Sequence, residues 1–447
     1  MREQDYITAF RFGFGLKPAE AFNPYTELHA AQGKADTAPA IAAMRDRFAA
    51  WADMGQYVNA ETKSPESRLK ERAFAALLEK RDLHEAITSA VASPLMFTER
   101  LALFWGNHFS LGSGNAAAAR FAAPAQAGIR QAMFGKFQDL LWSAVMNPAM
   151  MLYLNLQQAI GPNSRAGKNT DRGLNENLGR EILELHTLGV GGGYAQQDVA
   201  ALSRLLTGWH FDGVTGEVQF LARRAEPGLK TFLGRAIGGD KPAANDLAEA
   251  FAMLAKHPST AHFISTKLVL HFLGPGLTDI SDKVAVTFLE TSGNLSACYD
   301  VLLQASAKLP PTQLQYRNDF VFLISALRAL PLRKGVLDFV ELPDGRPKPN
   351  PATTGAMSIV RQRLWLAPSP AGWSDDPAYW RSPSVMLARL QLIPRLARLS
   401  EVLDPVVWAD QVLGPLLRPA TREAVALAPN RLQGMGLVLA SPEFNRR

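Results

Sequence analysis

The sequence predicts a mainly α-helical protein, a single large multi-helix domain over residues 1–447. Three observations carry that expectation. Apolar residues recur at helical spacing through most of the chain, Pro and Gly punctuate those runs, and no hydrophobic alternation is long enough for a large sheet. Two departures are expected: one small β-hairpin at about 214–235, and a Pro/Gly-rich segment at about 338–385 that wraps the helical body.

Residues 1–60 read as helical, broken early by Gly13, Gly15, Pro18 and Pro24. Over 64–93, Glu66, Arg68, Lys70, Glu71 and Arg72 make an exposed helix face, and Pro94 ends the run. Residues 95–111 form a mostly apolar helix holding Asn107 and His108, followed by a glycine loop and an Ala-rich connector. Residues 128–158 read as two helices divided near Asn147-Pro148. The stretch 161–173 is a long polar loop containing Asn163, Arg165, Lys168 and Arg172. Loops of that length inside a compact domain are usually functional or mobile, and this one suits a basic lid over the acidic helix that follows.

Glu217–Leu221 and Lys230–Leu233 flank Glu226-Pro227-Gly228 as the two strands of the expected hairpin. Helices resume over 243–330, including an amphipathic run from Thr260 to Leu273 with His262, Lys267 and His271. Trp365, Trp373 and Trp380 lie in the wrapping segment, and 384–439 is helical again. No internal repeat of fixed period emerges.

The most informative stretch is the helix–turn–helix segment 175–213. On a wheel of about 100° per residue, Leu178, Gly179, Ile182, Leu183 and Leu185 spread over a packing side. Asn177, Arg180, Glu181 and Glu184 gather within roughly 100° on the other side, with Glu176 just beyond. Gly189 is the natural left-handed residue past the helix end. The next helix, read from Tyr194 to Trp209, has Ala195 where a Ser or Thr cap would be stronger. His186 falls about 160° from Glu184, on the apolar side, so one metal ion cannot easily take both.

Asn175–Val190, with Gly193-Tyr194, Asp198-Val199 and Thr207-Gly208-Trp209, resembles the signature of the bacterial family called domain of unknown function 1800. Similar blocks run in order through the chain. They are Arg11–Gly15, Glu99–Leu101 with Phe104–Phe109, His257-Pro258 with Lys267-Leu268 and His271-Phe272, Pro368–Trp373, and Ser441–Phe444. The resemblance implies an accessory protein acting with a sulfatase-like partner (domain of unknown function 1501), because the two genes are often neighbours in relatives. The family pattern often places a histidine before the acid of the hairpin turn; here Ala225 precedes Glu226.

Composition limits the classes. An apolar fraction of 47% and a charged fraction of 20% describe a globular protein with a sizeable core. The apolar runs are interrupted before spanning length, so no transmembrane segment is expected. A net charge of +6 is mild, and no nucleic-acid-binding motif is present. Cys298 is the only cysteine, which excludes an intrachain disulfide and cysteine-rich zinc sites. No signal peptide is visible after Met1, which makes the cytoplasm the default expectation, although relatives resemble exported proteins.

Phosphate-binding, dinucleotide-binding, serine-hydrolase and zinc-protease signatures are absent. What remains is a constellation of His108, Glu181, Glu184 and Arg180 as catalytic candidates, with Asn107, Asn177, His186, Asn163 and Arg165 as ligand-binding ones. If 104–110 lies beside 175–188, His108, Glu181 and Glu184 could hold a divalent metal that activates water. Alternatively, crowded carboxylates could raise one pKa until it serves as a general acid beside a histidine base. The third reading is a structural polar network in which Arg180 neutralises its acidic neighbours. A partner protein predicts an apolar patch around Trp365, Trp373 and Trp380. An enzyme predicts a pocket where Glu181, Glu184 and His108 converge.

Overall fold

A computed structural model describes residues 2–17, 20–31, 65–111, 121–170, 174–213, 215–310, 315–341, 347–350, 360, 362 and 367–447. The chain opens with α1 (Glu3–Phe12), α2 (Pro24–Ala31), the long α3 (Pro65–Ala92) and α4 (Met96–His108). It continues through α5 (Ala122–Ala132), α6 (Phe137–Val145) and α7 (Pro148–Tyr153). The expected break at Asn147-Pro148 is real: Asn147 Oδ1 accepts from Met150 N at 3.0 Å, and Pro148 takes the first helical position. The Ala-rich connector and Trp365 lie outside the described residues.

Next come α8 (Glu176–Glu181), which runs on as a π turn (Ile182–Thr187), and α9 (Gln196–Leu205). Four strands follow: β1 (Trp209–Phe211), β2 (Val218–Phe220), β3 (Gly228–Phe232) and β4 (Arg235–Gly239). Helices then return as α10 (Asn245–Ala255), α11 (Pro258–Leu273), α12 (Thr278–Glu290), α13 (Leu295–Ser306) and α14 (Asp319–Ala329). The Pro-rich stretch contributes β5 (Phe339–Glu341) and β6 (Pro347–Pro349) before α15 (Pro383–Ala397), α16 (Pro405–Leu413), α17 (Pro419–Ala426), α18 (Arg431–Ala440) and α19 (Pro442–Asn445). The fold is mainly α, with strands only in antiparallel pairs among the described residues.

The expected hairpin is paired differently. Val218–Phe220 pairs backward with Trp209–Phe211, and Gly228–Phe232 pairs forward with Arg235–Gly239, so the two predicted strands do not meet. Trp209 is therefore a strand residue. Its spacing continues the α9 stripe, which conceals the change. Gly208, at φ 91°, makes the reversal, and a Cβ there would press on Ala225 at 2.7 Å. Leu233 and Gly234 both have positive φ and form the tight two-residue turn of the second hairpin. Asp198 fixes that turn to α9: one carboxylate oxygen accepts from Leu233 N and the other from Ala195 N, both at 2.8 Å. The second contact is the reciprocal half of a capping box, in which the third helical residue accepts from the N-cap N–H.

Buried apolar side chains form two clusters. One draws on α4–α13 and includes Phe97, Trp105, Ile182 and Tyr299. The other joins α1 and the inner end of α3 to α14, α15, α16 and α18. Phe22 packs against both. The 367–382 strap crosses the end of α4 where the clusters adjoin. Among the described residues no helix is long and apolar enough to cross a membrane.

Candidate functional site

The acidic face of α8 is a linked surface network. Arg180 meets Glu184 at 3.3 Å and donates to Gln196 Oε1 at 2.7 Å, while Gln196 donates to Glu176 at 2.7 Å. Tyr194 is pushed up to about 12 by burial and by its hydrogen bond to Glu184. Glu181, half-buried near Tyr153, is raised by burial first and by Glu184 second. Asn177 is exposed, and its N–H meets the capping Asn175 Oδ1 at 3.0 Å. The network is held against α9 because Gly179 has no side chain: a Cβ would lie 2.4 Å from Ser203 Oγ.

The 104–110 and 175–188 stretches do meet, but behind that face. His108 Nε2 lies 3.2 Å from the carbonyl oxygen of His186, and the two rings are 5.9 Å apart. Both imidazoles are buried, His108 at 2% exposure and His186 at none. Neither ring nitrogen of His186 has a hydrogen-bond partner, nor does His108 Nδ1. Burial, followed by the nearby Lys267 ammonium, depresses both, His186 to about 3. The π turn widens the helix here, with Thr187 Oγ1 donating to the Ile182 carbonyl at 2.7 Å, yet His186 still faces inward.

This geometry corrects the expected metal set. His108 is joined to the His186 carbonyl and Glu184 to Arg180 instead. Among the described residues there is no group of three or more His, Cys, Asp or Glu side chains placed to share an ion. None of His108, Glu181 and Glu184 lines the cavity between α3, α4 and α5.

The polar loop is anchored away from the acidic face. Asn163 donates to the buried Glu226 carboxylate through its backbone N–H at 2.9 Å and its Nδ2 at 2.6 Å. Gly161 and Ala166 donate to the carbonyls of Arg224 and Arg223, both at 2.9 Å. Arg165 is exposed. The described part of the loop is thus tied to the turn between β2 and β3. Asn163 has a structural partner there.

The concave feature lies on the far side of α4. A cavity of about 330 Å³ opens between α3, α4, α5 and the 367–382 strap. Small side chains face it from three helices: Ala86 and Ala90, Ala102 and Gly106, Ala123 and Ala127. The strap closes one side. Asn107 Nδ2 donates to the Trp373 carbonyl at 2.9 Å, and Trp373 N–H donates to Asn107 Oδ1 at 2.8 Å. Gly372, at φ 81°, permits this approach, since a Cβ would lie 2.4 Å from the Asn107 carbonyl oxygen. Trp380 is buried, with its ring 6.3 Å from that of Trp373. The two described tryptophans therefore serve the cavity wall and do not form the exposed patch expected of a partner surface.

Polar chemistry collects at the inner end, where His271, Asp375 and Arg447 line the wall. Asp375 lies 3.7 Å from His271 Nδ1 and 3.1 Å from Lys267 Nζ. Arg447 Nη1 is 3.2 Å and Arg100 Nη2 3.5 Å from His271 Nε2. Guanidinium groups only donate, so Nε2 must accept and the proton sits on Nδ1, toward Asp375. Burial and then the Arg447 charge push His271 down to about 3. Burial alone would raise Asp375, but Lys267 and His271 outweigh it and hold the carboxylate below its ordinary range. On the opposite wall, Arg130 forms a bidentate pair with Glu99 at 2.8 and 2.7 Å.

The sequence left His271 outside the candidate residues and did not single out Asp375. A signal existed: Lys267 and His271 stand four apart on one helix face, and their block and the Pro368–Trp373 block both belong to the family-like pattern. The missing link was that the two blocks touch. A family model described as a protein of unknown function (DUF1800) matches residues 8–446 of the chain. No curated protein and no solved structure matches it.

Proposed function

The chain belongs to the DUF1800 family, and on that premise we propose that it binds a small organic molecule in the cavity between α3, α4, α5 and the strap. The single observation carrying this reading is the convergence of small residues from three helices, two tryptophans and the His271–Asp375 pair on one open space. Its volume is about 330 Å³, within the range of small-molecule sites, and its wall combines apolar surface with few polar groups. Protein cores are otherwise close-packed, so a space of this size needs a reason.

The test is a fragment screen by thermal shift on wild type and Ala127→Leu. A ligand at a hundredfold its Kd should stabilise wild type by about 2.7 kcal/mol. The variant, its cavity filled by the added isobutyl group, should lose that response. Ligands that stabilise both proteins equally, or no ligand at all, would remove the reading.

A second reading follows the family's implied partner. Leu387 and Leu390 on α15, Leu403, and Val407 on α16 are exposed and apolar, which supports a contact surface for a sulfatase-like protein. Sizing chromatography of the two purified proteins, with Leu387→Glu as control, tests it. Independent elution would end this reading.

A further inference from the structure

We propose that the inner end of the cavity is an anion subsite, and that the molecule held there presents a carboxylate, phosphate or sulfate to Arg447 while its apolar body lies against Trp373 and Trp380. This inference rests on the cavity being a ligand site, and it adds the chemical class.

Charge at the inner end carries it. Lys267 and Arg447 share a single carboxylate side chain, Asp375, while Arg100 and Arg447 converge on His271, whose Nε2 is committed to accepting from both guanidinium groups. His271 therefore supplies a neutral ring and no counter-charge. Lys267 already meets Asp375 at 3.1 Å. Among the described side chains this leaves the two guanidinium groups under-compensated in a site where solvent screens poorly. Arg447 is 5% exposed, and its Nε is buried with no hydrogen-bond partner although the residue lines the cavity. An oxyanion beside it would supply an acceptor and a charge together, the pairing that a planar guanidinium serves best.

The rest of the wall orients such a ligand. Glu85 faces the cavity from α3 already paired with Arg81 at 2.9 Å, and Glu99 is neutralised by Arg130. The alanines and tryptophans between these ends offer an apolar surface to the body of the molecule.

The experiment compares phenylacetate with phenylacetamide, equal in shape and different in charge, by titration calorimetry at low and high salt. Inorganic phosphate and sulfate serve as headgroup-only competitors and separate the oxyanion types. Wild type should bind the acid at least tenfold tighter than the amide, with the difference shrinking as salt rises. Arg447→Gln should erase the preference for the acid over the amide; the backbone pairing of residue 447 with Gln315 does not depend on the side chain. If that variant does not fold, Asp375→Asn gives the opposite sign, since removing the carboxylate should tighten the acid. Equal binding of acid and amide to wild type would overturn the anion subsite alone. Binding of neither probe, with no competitor effect, would overturn the cavity reading itself.

Discussion

Asn107 and Trp373 stand 266 residues apart and exchange two hydrogen bonds, at 2.9 and 2.8 Å, between one side-chain amide and the backbone carbonyl and N–H of one residue. That exchange fastens the Pro-rich strap to the end of α4 and closes the cavity.

Replacing Asn107 by Ala should remove both bonds from the Trp373 backbone. The expected cost is about 2–3 kcal/mol in chemical denaturation, because part-buried groups lose partners that water replaces poorly. Limited proteolysis should show cleavage within 367–382 before the helices are attacked. Unchanged stability together with unchanged cleavage would show that the strap is held by its other contacts.

Stability should fall with acid below about pH 6.5. His186 and His271 are neutral in the folded protein, each pushed down to about 3, and His108 is depressed with them. The unfolded chain takes up protons near the ordinary histidine value while the folded chain does not. Their stabilising contribution is complete above about pH 6.5 and is lost between there and about pH 3. Each such histidine adds a slope of about 1.4 kcal/mol per pH unit within that window. Urea denaturation from pH 7.5 to 5 measures it, and His186→Phe should lower the slope by one proton. A flat profile would mean that these imidazoles are protonated in the fold.

Glu181→Gln should fold normally and gain slightly in stability at neutral pH, by under about 1 kcal/mol given its partial exposure. Burial and Glu184 both disfavour its charge, so its folded pKa is raised and the penalty is present above that value. The gain should shrink as pH falls and the native carboxyl protonates. A marked loss of melting temperature would instead identify Glu181 as a structural acceptor.

Glu226→Ala should free the 161–170 loop. It deletes the acceptor of both Asn163 contacts from a site only 5% exposed, at a cost of about 1–3 kcal/mol. Trypsin should then cut at Arg165 or Lys168, both exposed, faster than in wild type. Equal cutting rates would show that the loop's backbone bonds to Arg223 and Arg224 suffice.

The helical class, the break at Asn147-Pro148, the left-handed Gly189 and the inward face of His186 were all legible in the sequence. Each depends on interactions within a few residues: caps, backbone preference and the period of apolar side chains. The strand pairing was not legible, because Trp209 continues the helical stripe of α9 and the reversal at Gly208 depends on Ala225 coming close. The links from Glu176 and Arg180 to Gln196 were not legible either, because Gln196 lies on the next helix. A wheel shows which side of a helix is buried but not what it is buried against.

By itself, then, the sequence determined the family, the class and the list of unusual residues. Only the tertiary structure decided which of those residues share a space. It brought Asn107 and His271 around one cavity, with Asp375 and Arg447, which the sequence had not marked, and kept Glu181 and Glu184 out of its wall. The reason is physical: the contacts between α4, α11 and the strap join segments far apart in the chain, and local periodicity carries no record of such distant partners.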